Sequence, residues 1–449
     1  MAGGGCGVKN IVAIEFQPLI ERALARLSHY AADRARMRKY YRGEQGNPYL
    51  TARNLERYGT LFRDFRENLC APIVDATASR LILETVQSGD EATDQAIMDA
   101  LSWNDLDSRQ RSVHADALIM GRAWIICWPD ERRRVRAHFN RGDVVEGVWD
   151  PDDETRLIAA VKRWQSLDAE GKPSLRTTVY YGDRAERFHG DGWHPYDADG
   201  EPSVQPHRMG RVPVVPFGGG RSDLADVVPI QDALNKASYD LLVGMEFTAM
   251  QQRYVTGLDQ VEYDPATGRM RDPFGPGGLW IVGNPDAKFG TLEAGDLAQM
   301  GGVSDSWRQA AARVARVPLH YLVQGGEFPS GEALKTAEAP FAAKLASLAE
   351  EFGESWERLA RLLVGLDDDV VLQAVWRDTT PRNEVDRWNV AATKHMLGVS
   401  RRQILLEMGY GTETVDRILA ERADEDAERE AQRARAAWLG PALPPTGGL

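Results

Sequence analysis

An α+β fold is predicted by three observations on the chain. Apolar residues recur at helical spacing in the first third, a central block breaks into short strands divided by Asp, Gly and Pro, and a long helical pattern occupies 332–366. No repeat of fixed period runs through these segments, so the order is helix, β-rich block, helix, small β block, helix, loop and long helix.

The first helix is expected over 15–41, where Leu19, Ala23, Leu27, Tyr30 and Ala31 form one stripe among arginines. It should end at YYRGEQGNP, since Gly43, Gly46 and Pro48 carry turn chemistry. A second helix is expected from Arg66 to Val86 with Pro72 near its first turn, where a missing N–H does little harm. Residues 91–120 read as two helices broken near Trp103 and Asn104. AWIICWPDERRRVRAHF then reads as a hairpin, and VVEGVWDPDDETRLIAAVKRW and LRTTVYYGDRAERFH as further strands. A loop over 190–210 and a strand from Val212 to Phe217 close the block.

Beyond it, a helix from about Pro229 carries Ile230, Leu234, Ala237, Leu241 and Met245 on one stripe. Residues 254–296 return to short strands and turns, and 303–317 to a helix that must stop before Pro318. YLVQGGEFPSGEALK is a glycine-rich connection, after which Pro340 should kink the long helix. A short strand VVLQAVW, a helix over Glu384–Leu397 and a mixed-charge terminal helix complete the chain, with a Pro/Gly tail expected to fray.

Composition narrows the function. The 449 residues are 43% hydrophobic and 27% charged, which is the balance of a soluble globular protein. Fifty-four basic against 67 acidic residues give a net charge of −13, the wrong sign for gripping DNA through its phosphates. Cys6, Cys70 and Cys127 form no C-x-x-C pair, so neither a disulfide framework nor a zinc site is expected. The start lacks the features of a signal peptide and no apolar run is long enough to span a bilayer, so no membrane partner and synthesis inside the cell are expected.

Candidate chemistry is sparse. FGGGRSDL after a strand and before a helix invites a phosphate-loop reading, but it lacks the lysine and the G-x-x-x-x-G-K-[ST] spacing that hold phosphate and magnesium. Asp223 and Asp226 already occupy the anion-favouring helix start, so the glycines are read as a structural corner with Ser222 as the cap. HGDGWH (His189, Asp191, His194) lacks a fourth ligand at usable spacing, and the acidic runs at 151–154 and 367–369 fall between elements, where adjacent acids face water. RRRVR (132–136) alternates on a strand, so only part of it can share one face. No catalytic residue, metal or cofactor is expected, and the chain does not read as an enzyme.

Several stretches together resemble the portal proteins of tailed double-stranded-DNA bacteriophages, most closely the siphophage type. They are YYRGEQ (40–45), ENLCAPIVDATASRL (67–81), WNDLDSRQRSVHADALIMGRAWIICW (103–128), VPVVPFGGGRSDLADVVPIQDALNKASYDLL (212–242), ARVARVPLHYL (312–322) and PRNEVDRWNVAATKHMLGVSRRQILLEMG (381–409). The resemblance implies a portal fold of wing, stem, clip and crown in a dodecameric ring around a DNA channel at one capsid vertex. By order, the wing is 1–222 with the strand 370–376, the stem helices are 223–253 and 303–321, and the clip is 254–302. The tunnel loop is 322–335, the kinked channel helix 332–369, and the crown with its tail 380–449. The implied loop residues are Gln324, Gly325, Gly326, Glu327, Phe328, Ser330, Gly331 and Lys335. On residues alone, this stretch reads equally well as an ordinary helix–helix connection. The implied partners are identical subunits, the large subunit of terminase, a head–tail adaptor, the major capsid protein, scaffold and the DNA in transit. The implied location is the virion, after assembly in the host cytoplasm. The alternatives are another ring-forming head–tail connector or a packaging enzyme of the terminase class, which would require the phosphate loop and acidic metal site not found above.

Overall fold

The computed structural model describes residues 15–46, 65–167, 171–197, 202–249, 253–256, 286, 288–291, 297–323, 331–377, 384–408 and 410–439. Two units, Met1–Thr379 and Thr380–Leu449, each form a body of their own. Helix and sheet are both present in the first unit, as an α+β chain requires.

Helix α1 (Gln17–Arg42) has Pro18 in its first turn and ends on Gly43 at φ 70°, where the N–H groups of Gly43 and Glu44 satisfy the Tyr40 and Lys39 carbonyls. It buries Ile20, Ala23, Leu24 and Leu27. Tyr30, expected on that stripe, is 45% exposed, because the buried face turns along the helix toward Arg34 and Tyr40. The helix expected over Arg66–Val86 is two elements: α2 (Cys70–Arg80) and strand β1 (Leu83–Gln87). The reason is tertiary, since β1 pairs antiparallel with β13 (Gln373–Trp376) from near the end of the unit. Helices α3 (Glu91–Trp103) and α4 (Leu106–Met120) break where expected, with Asp105 at φ 54° and the Asp90 side chain accepting the Thr93 N–H at 2.9 Å to cap α3.

Two sheets follow. The first orders as β10 (Val214–Phe217), β2 (Ala123–Pro129) and β3 (Val135–Arg141). The second runs β4 (Val145–Trp149), β5 (Leu157–Leu167), β6 (Pro173–Tyr180), β7 (Arg184–His189) and β8 (His194–Pro195), with β9 (Val204–Pro206) also on β7. The loop expected over 190–210 therefore contains two short strands. One face of the second sheet buries Val161, Val179 and Phe188 on Ile20 and Leu24 of α1. The other meets the first sheet through Trp124, Ile126, Val145, Ala160 and Val214.

The chain then turns at Gly218 and Gly220, both at φ 95°. Helix α5 (Val228–Ala249) starts five residues after Asp223; the Ser222 hydroxyl donates to the Ile119 carbonyl at 2.6 Å and accepts the Leu224 N–H, so it caps the turn before the helix and not the helix itself. The glycines are a structural corner, packed against the end of α4. A Cβ on Gly218 would lie 2.7 Å from the Gly121 carbonyl oxygen, and one on Gly121 would lie 2.7 Å from the Gly220 backbone. Gly218→Ala combines a left-handed backbone with a backbone clash and should lower stability by about 2–4 kcal/mol. Thermal denaturation measures this, and an unshifted midpoint would show that the corner has slack.

Strands β11 (Arg253–Thr256) and β12 (Lys288–Thr291) pair antiparallel; apart from Asp286, the rest of the β block expected over 254–296 lies outside the described residues. Helix α6 (Leu297–Ala315) begins before the expected 303 and packs on α5. A 3-10 turn (Leu319–Tyr321) follows. Helix α7 (Gly331–Val364) continues through Pro340 and occupies the middle of the main core. Its Phe341, Leu345, Phe352, Trp356 and Leu359 belong to one buried cluster with Ile73, Val113, Phe217, Leu224 and Leu234. The second unit comprises α8 (Glu384–Met396), α9 (Arg401–Glu407) and α10 (Thr412–Leu439), joined by Lys394–Glu407 and Arg402–Asp416 ion pairs. The tail after Leu439 lies outside the described residues.

Candidate functional site

Gln324, Gly325, Gly326, Glu327, Phe328 and Ser330 lie outside the described residues, whereas Gly331 and Lys335 lie within the first five residues of α7. The chain is held on either side of this segment. On the N-terminal side, Pro318 starts the 3-10 turn, and the hydrogen bonds of Tyr321, Leu322 and Val323 back to Pro318 and Leu319 close it. On the C-terminal side stands Glu338, whose side chain is 8% exposed.

One polar group joins the two sides. The Tyr321 hydroxyl accepts from Arg80 of α2 and donates to Glu338 at 3.4 Å, while His320 Nε2 lies 3.6 Å from the same carboxylate. The Arg80 guanidinium also lies 5.8 Å from the centre of the Tyr321 ring, and Phe341 of α7 packs 5.9 Å from that ring. Burial pushes the Tyr321 hydroxyl above its ordinary pKa, so it remains a proton donor at neutral pH. A second tie lies deeper. Lys344, with a side chain 7% exposed, donates to Asp223 at 2.6 Å and to the Ala315 carbonyl at 2.9 Å. It thereby satisfies an orphan carbonyl at the end of α6 and joins that end to the glycine corner and to α7. The described residues on both sides of 324–330 are thus tied to α2, α6 and the glycine corner.

The helices leading to it are also secured. Arg308 of α6 binds Glu67 through two nitrogens at 2.5 and 2.7 Å, a bidentate pair. Gln231 and Asn235 of α5 bind the backbone of Glu67 and Leu69, and Tyr40 of α1 donates to Asp232 at 2.6 Å. At the centre of the unit His114 of α4 is fully buried: its Nδ1 donates to the Leu81 carbonyl at 3.2 Å and its Nε2 accepts the Trp356 indole N–H at 2.9 Å. Phe352 stacks on the imidazole at 4.9 Å. Burial pushes the His114 pKa down to about 3, so the ring is neutral in the folded protein.

The stretches weighed as chemistry take ordinary places. His189 and His194 face each other across the β7–β8 hairpin with rings 5.8 Å apart, and among the described residues no group of three metal-binding side chains forms. Asp367, Asp368 and Asp369 are exposed, Asp368 pairing with Arg211 at 2.9 Å. Of the RRRVR run, Arg134 and Arg136 cover the Trp103 ring at 4.8 and 3.7 Å. Among the described residues no helix is long and apolar enough to cross a membrane.

The family model described as "Phage portal protein, SPP1 Gp6-like" matches residues 23–433. The chain belongs to this family. Two curated portal proteins resemble it: that of Mycobacterium phage D29 is 27% identical over 382 residues, covering 75% of this chain and 74% of the relative. That of Mycobacterium phage L5 is 26% identical over 372 residues, with the same coverage. Among solved structures, a chain of the neck of a native GTA particle computed with C12 symmetry aligns at 15% identity and TM-score 0.43, covering 81% of this chain and 95% of that one. A chain of the neck of an empty GTA particle computed with C6 symmetry aligns at 14% identity and TM-score 0.46, covering 80% and 94%. The matched residues run from within α1 through both sheets and α5–α7 into α10 of the second unit. Sequence reasoning missed Arg80, Glu338 and Lys344, whose meaning lies in partners far away in the chain and which carry no local motif.

Proposed function

We propose that this portal-family chain forms a ring, a dodecamer as the resemblance implies, at one capsid vertex, through which double-stranded DNA is packaged and ejected. The family match over 23–433 carries this reading. In it, 1–222 and the strand 370–376 are the wing, 223–253 and 303–321 the stem, 254–302 the clip, 322–335 the DNA-facing tunnel loop, 332–369 the channel helix, and 380–449 the crown. Terminase, a head–tail adaptor, the major capsid protein and scaffold dock on the ring in the virion or during its assembly. The role is one of conduit and scaffold, not of catalysis. A net charge of −13 on each subunit suits a channel that DNA must pass without sticking.

The exposed apolar residues of α6 support the ring. Val303, Trp307 and Val314 are 49%, 36% and 42% exposed. Spaced four and seven apart, they form one stripe on the helix. Such a stripe on a soluble chain marks a surface that another subunit covers. Sedimentation of the purified protein should therefore show a large ring, and the double variant Val303→Glu/Trp307→Glu should shift it toward monomers while leaving the monomer fold intact. A wild-type chain that stays monomeric at micromolar concentration would refute the reading.

A further inference from the structure

A groove of about 1440 Å³ lies in the first unit where four segments meet: the end of α3, the β2–β3 turn, residues 206–211, and the end of α7 with the chain that follows it. Its floor is the main core reaching the surface. Val135, Met209, Leu363, Val364 and Leu366 line the groove, and each is a partly buried residue packed on the central cluster. Half-covered apolar side chains gathered in one place offer a partner surface to bury.

The walls are richer in arginine than in acid. Arg133, Arg134, Arg208, Arg211 and Arg361 line the groove against Asp99, Asp367 and Asp368. Arg211 pairs with Asp368 at 2.9 Å, and Arg361 donates to the Val370 carbonyl at 2.8 Å while its Nε is buried without a hydrogen-bond partner. The other three stand on fixed backbone. In the β2–β3 turn the Asp130 carboxylate accepts the N–H groups of Arg132 and Arg134 at 2.9 and 2.8 Å, and the Asp130 carbonyl accepts that of Arg133, whose φ is 61°. The Arg134 guanidinium lies 4.8 Å from the centre of the Trp103 ring, an arrangement that leaves its N–H edge available to an anion. Residues 207–209 are held as firmly: His207 Nε2 donates to the Tyr181 carbonyl at 3.0 Å, and its Nδ1 accepts the Met209 N–H at 3.3 Å. Arg133 and Arg208 are exposed, and neither forms an ion pair among the described residues.

We propose that this groove is a docking site for an acidic amphipathic helix of a partner protein, its apolar face on the exposed edge of the core and its carboxylates on Arg133, Arg134 and Arg208. An apolar floor between charged walls is what helix-in-groove recognition uses. The volume, about 1440 Å³, exceeds the roughly 300–1,000 Å³ of clefts that hold single small molecules and suits a segment of protein. The arginines set the sign of the partner, because a guanidinium meets a carboxylate through two parallel hydrogen bonds. Duplex DNA is the poorer candidate: the floor offers phosphates nothing, and Asp99, Asp367 and Asp368 share the lining. A second copy of this chain is the rival occupant, and the test separates it. The inference holds whether or not the 324–330 segment lines a channel.

The test is fluorescence anisotropy with the full-length protein and a labelled peptide of four Leu-Glu-Glu-Leu repeats, whose leucines share one face of a helix. Three labelled controls accompany it: the peptide with Gln for Glu, the peptide with Ser for Leu, and a 20-base-pair duplex. Saturable, salt-sensitive binding is expected, at least tenfold tighter than that of any control, since the apolar face and the carboxylates are both required. Arg133→Gln/Arg208→Gln should weaken it at least tenfold without shifting the thermal midpoint, because both side chains are exposed. Arg208→Gln alone provides a milder variant with the same expected direction. The wild type and the Val303→Glu/Trp307→Glu variant should bind the peptide alike. Equal binding of the Gln or Ser peptide, tighter binding of the duplex, or undiminished binding by the folded double variant would each overturn the proposal. Binding confined to the Val303→Glu/Trp307→Glu variant would overturn it as well, by making a second copy the occupant of the groove.

Discussion

Replacing Gly325 and Gly326 together with valine is expected to leave rings intact and to reduce packaged DNA at least tenfold. The expectation rests on the proposed channel reading and on the chain at 322–335, where Gly325, Gly326 and Gly331 provide backbone freedom and Phe328 and Pro329 provide bulk. A loop that lines a channel around helical DNA would have to adopt different conformations in different subunits, because the symmetry of a protein ring does not match that of the DNA helix. Valine at both positions removes left-handed backbone conformations and narrows the rest. The framework on either side is independent of that change: Arg80, Tyr321 and Glu338 hold one level, and Lys344 with Asp223 and Ala315 holds another. On that reading, the substitutions test the segment without touching the residues that hold its flanks. The measurement is nuclease-protected DNA per assembled particle, with micrographs confirming rings. Normal packaging by the valine variant would reduce this stretch to a connection between helices.

The second large effect concerns His114, and it depends on pH. In the folded chain the imidazole is neutral, with a pKa pushed down to about 3 by burial, against an ordinary value of 6.5. A base with a depressed folded pKa contributes its full stability above the unfolded value. As pH falls below 6.5 the unfolded chain takes up a proton that the folded chain refuses, so stability is lost down to about 3, by up to about 1.4 kcal/mol per pH unit. His114→Phe should therefore behave differently at the two ends of this range. At pH 7.5 it strands the Trp356 N–H and the Leu81 carbonyl, at a cost of about 2–4 kcal/mol. At pH 4.5 the wild type has lost most of the advantage of its neutral histidine, so the two proteins should converge. Denaturation midpoints across that range measure the gap. A gap that stays constant with pH would mean that His114 titrates alike in both states.

Much of the fold was legible in the sequence, for reasons visible in individual elements. The break between α3 and α4 and the β2–β3 hairpin agree with local signals: turn residues, helical spacing and strand alternation act over a few residues, where the chain itself is the main environment. The glycine corner could be read as structural because a phosphate loop needs a lysine that FGGGRSDL lacks. What failed was decided at a distance. Leu83–Gln87 is strand and not helix because β13 lies beside it, and Ser222 does not cap α5 because its oxygen accepts the Leu224 N–H in the turn before the helix.

The candidate site divides in the same way. The glycines of the 324–330 segment and the proline before it are sequence facts, and the order of the matching stretches was enough to point to the portal family. The anchors were not, since Arg80 and Tyr321, or Lys344 and Asp223, become neighbours only after α2, α5, α6 and α7 pack. The sequence by itself determined the local elements and the family, because both are written in short-range patterns. Only the tertiary structure decided which charges pair with which, because pairing depends on surfaces brought together by folding.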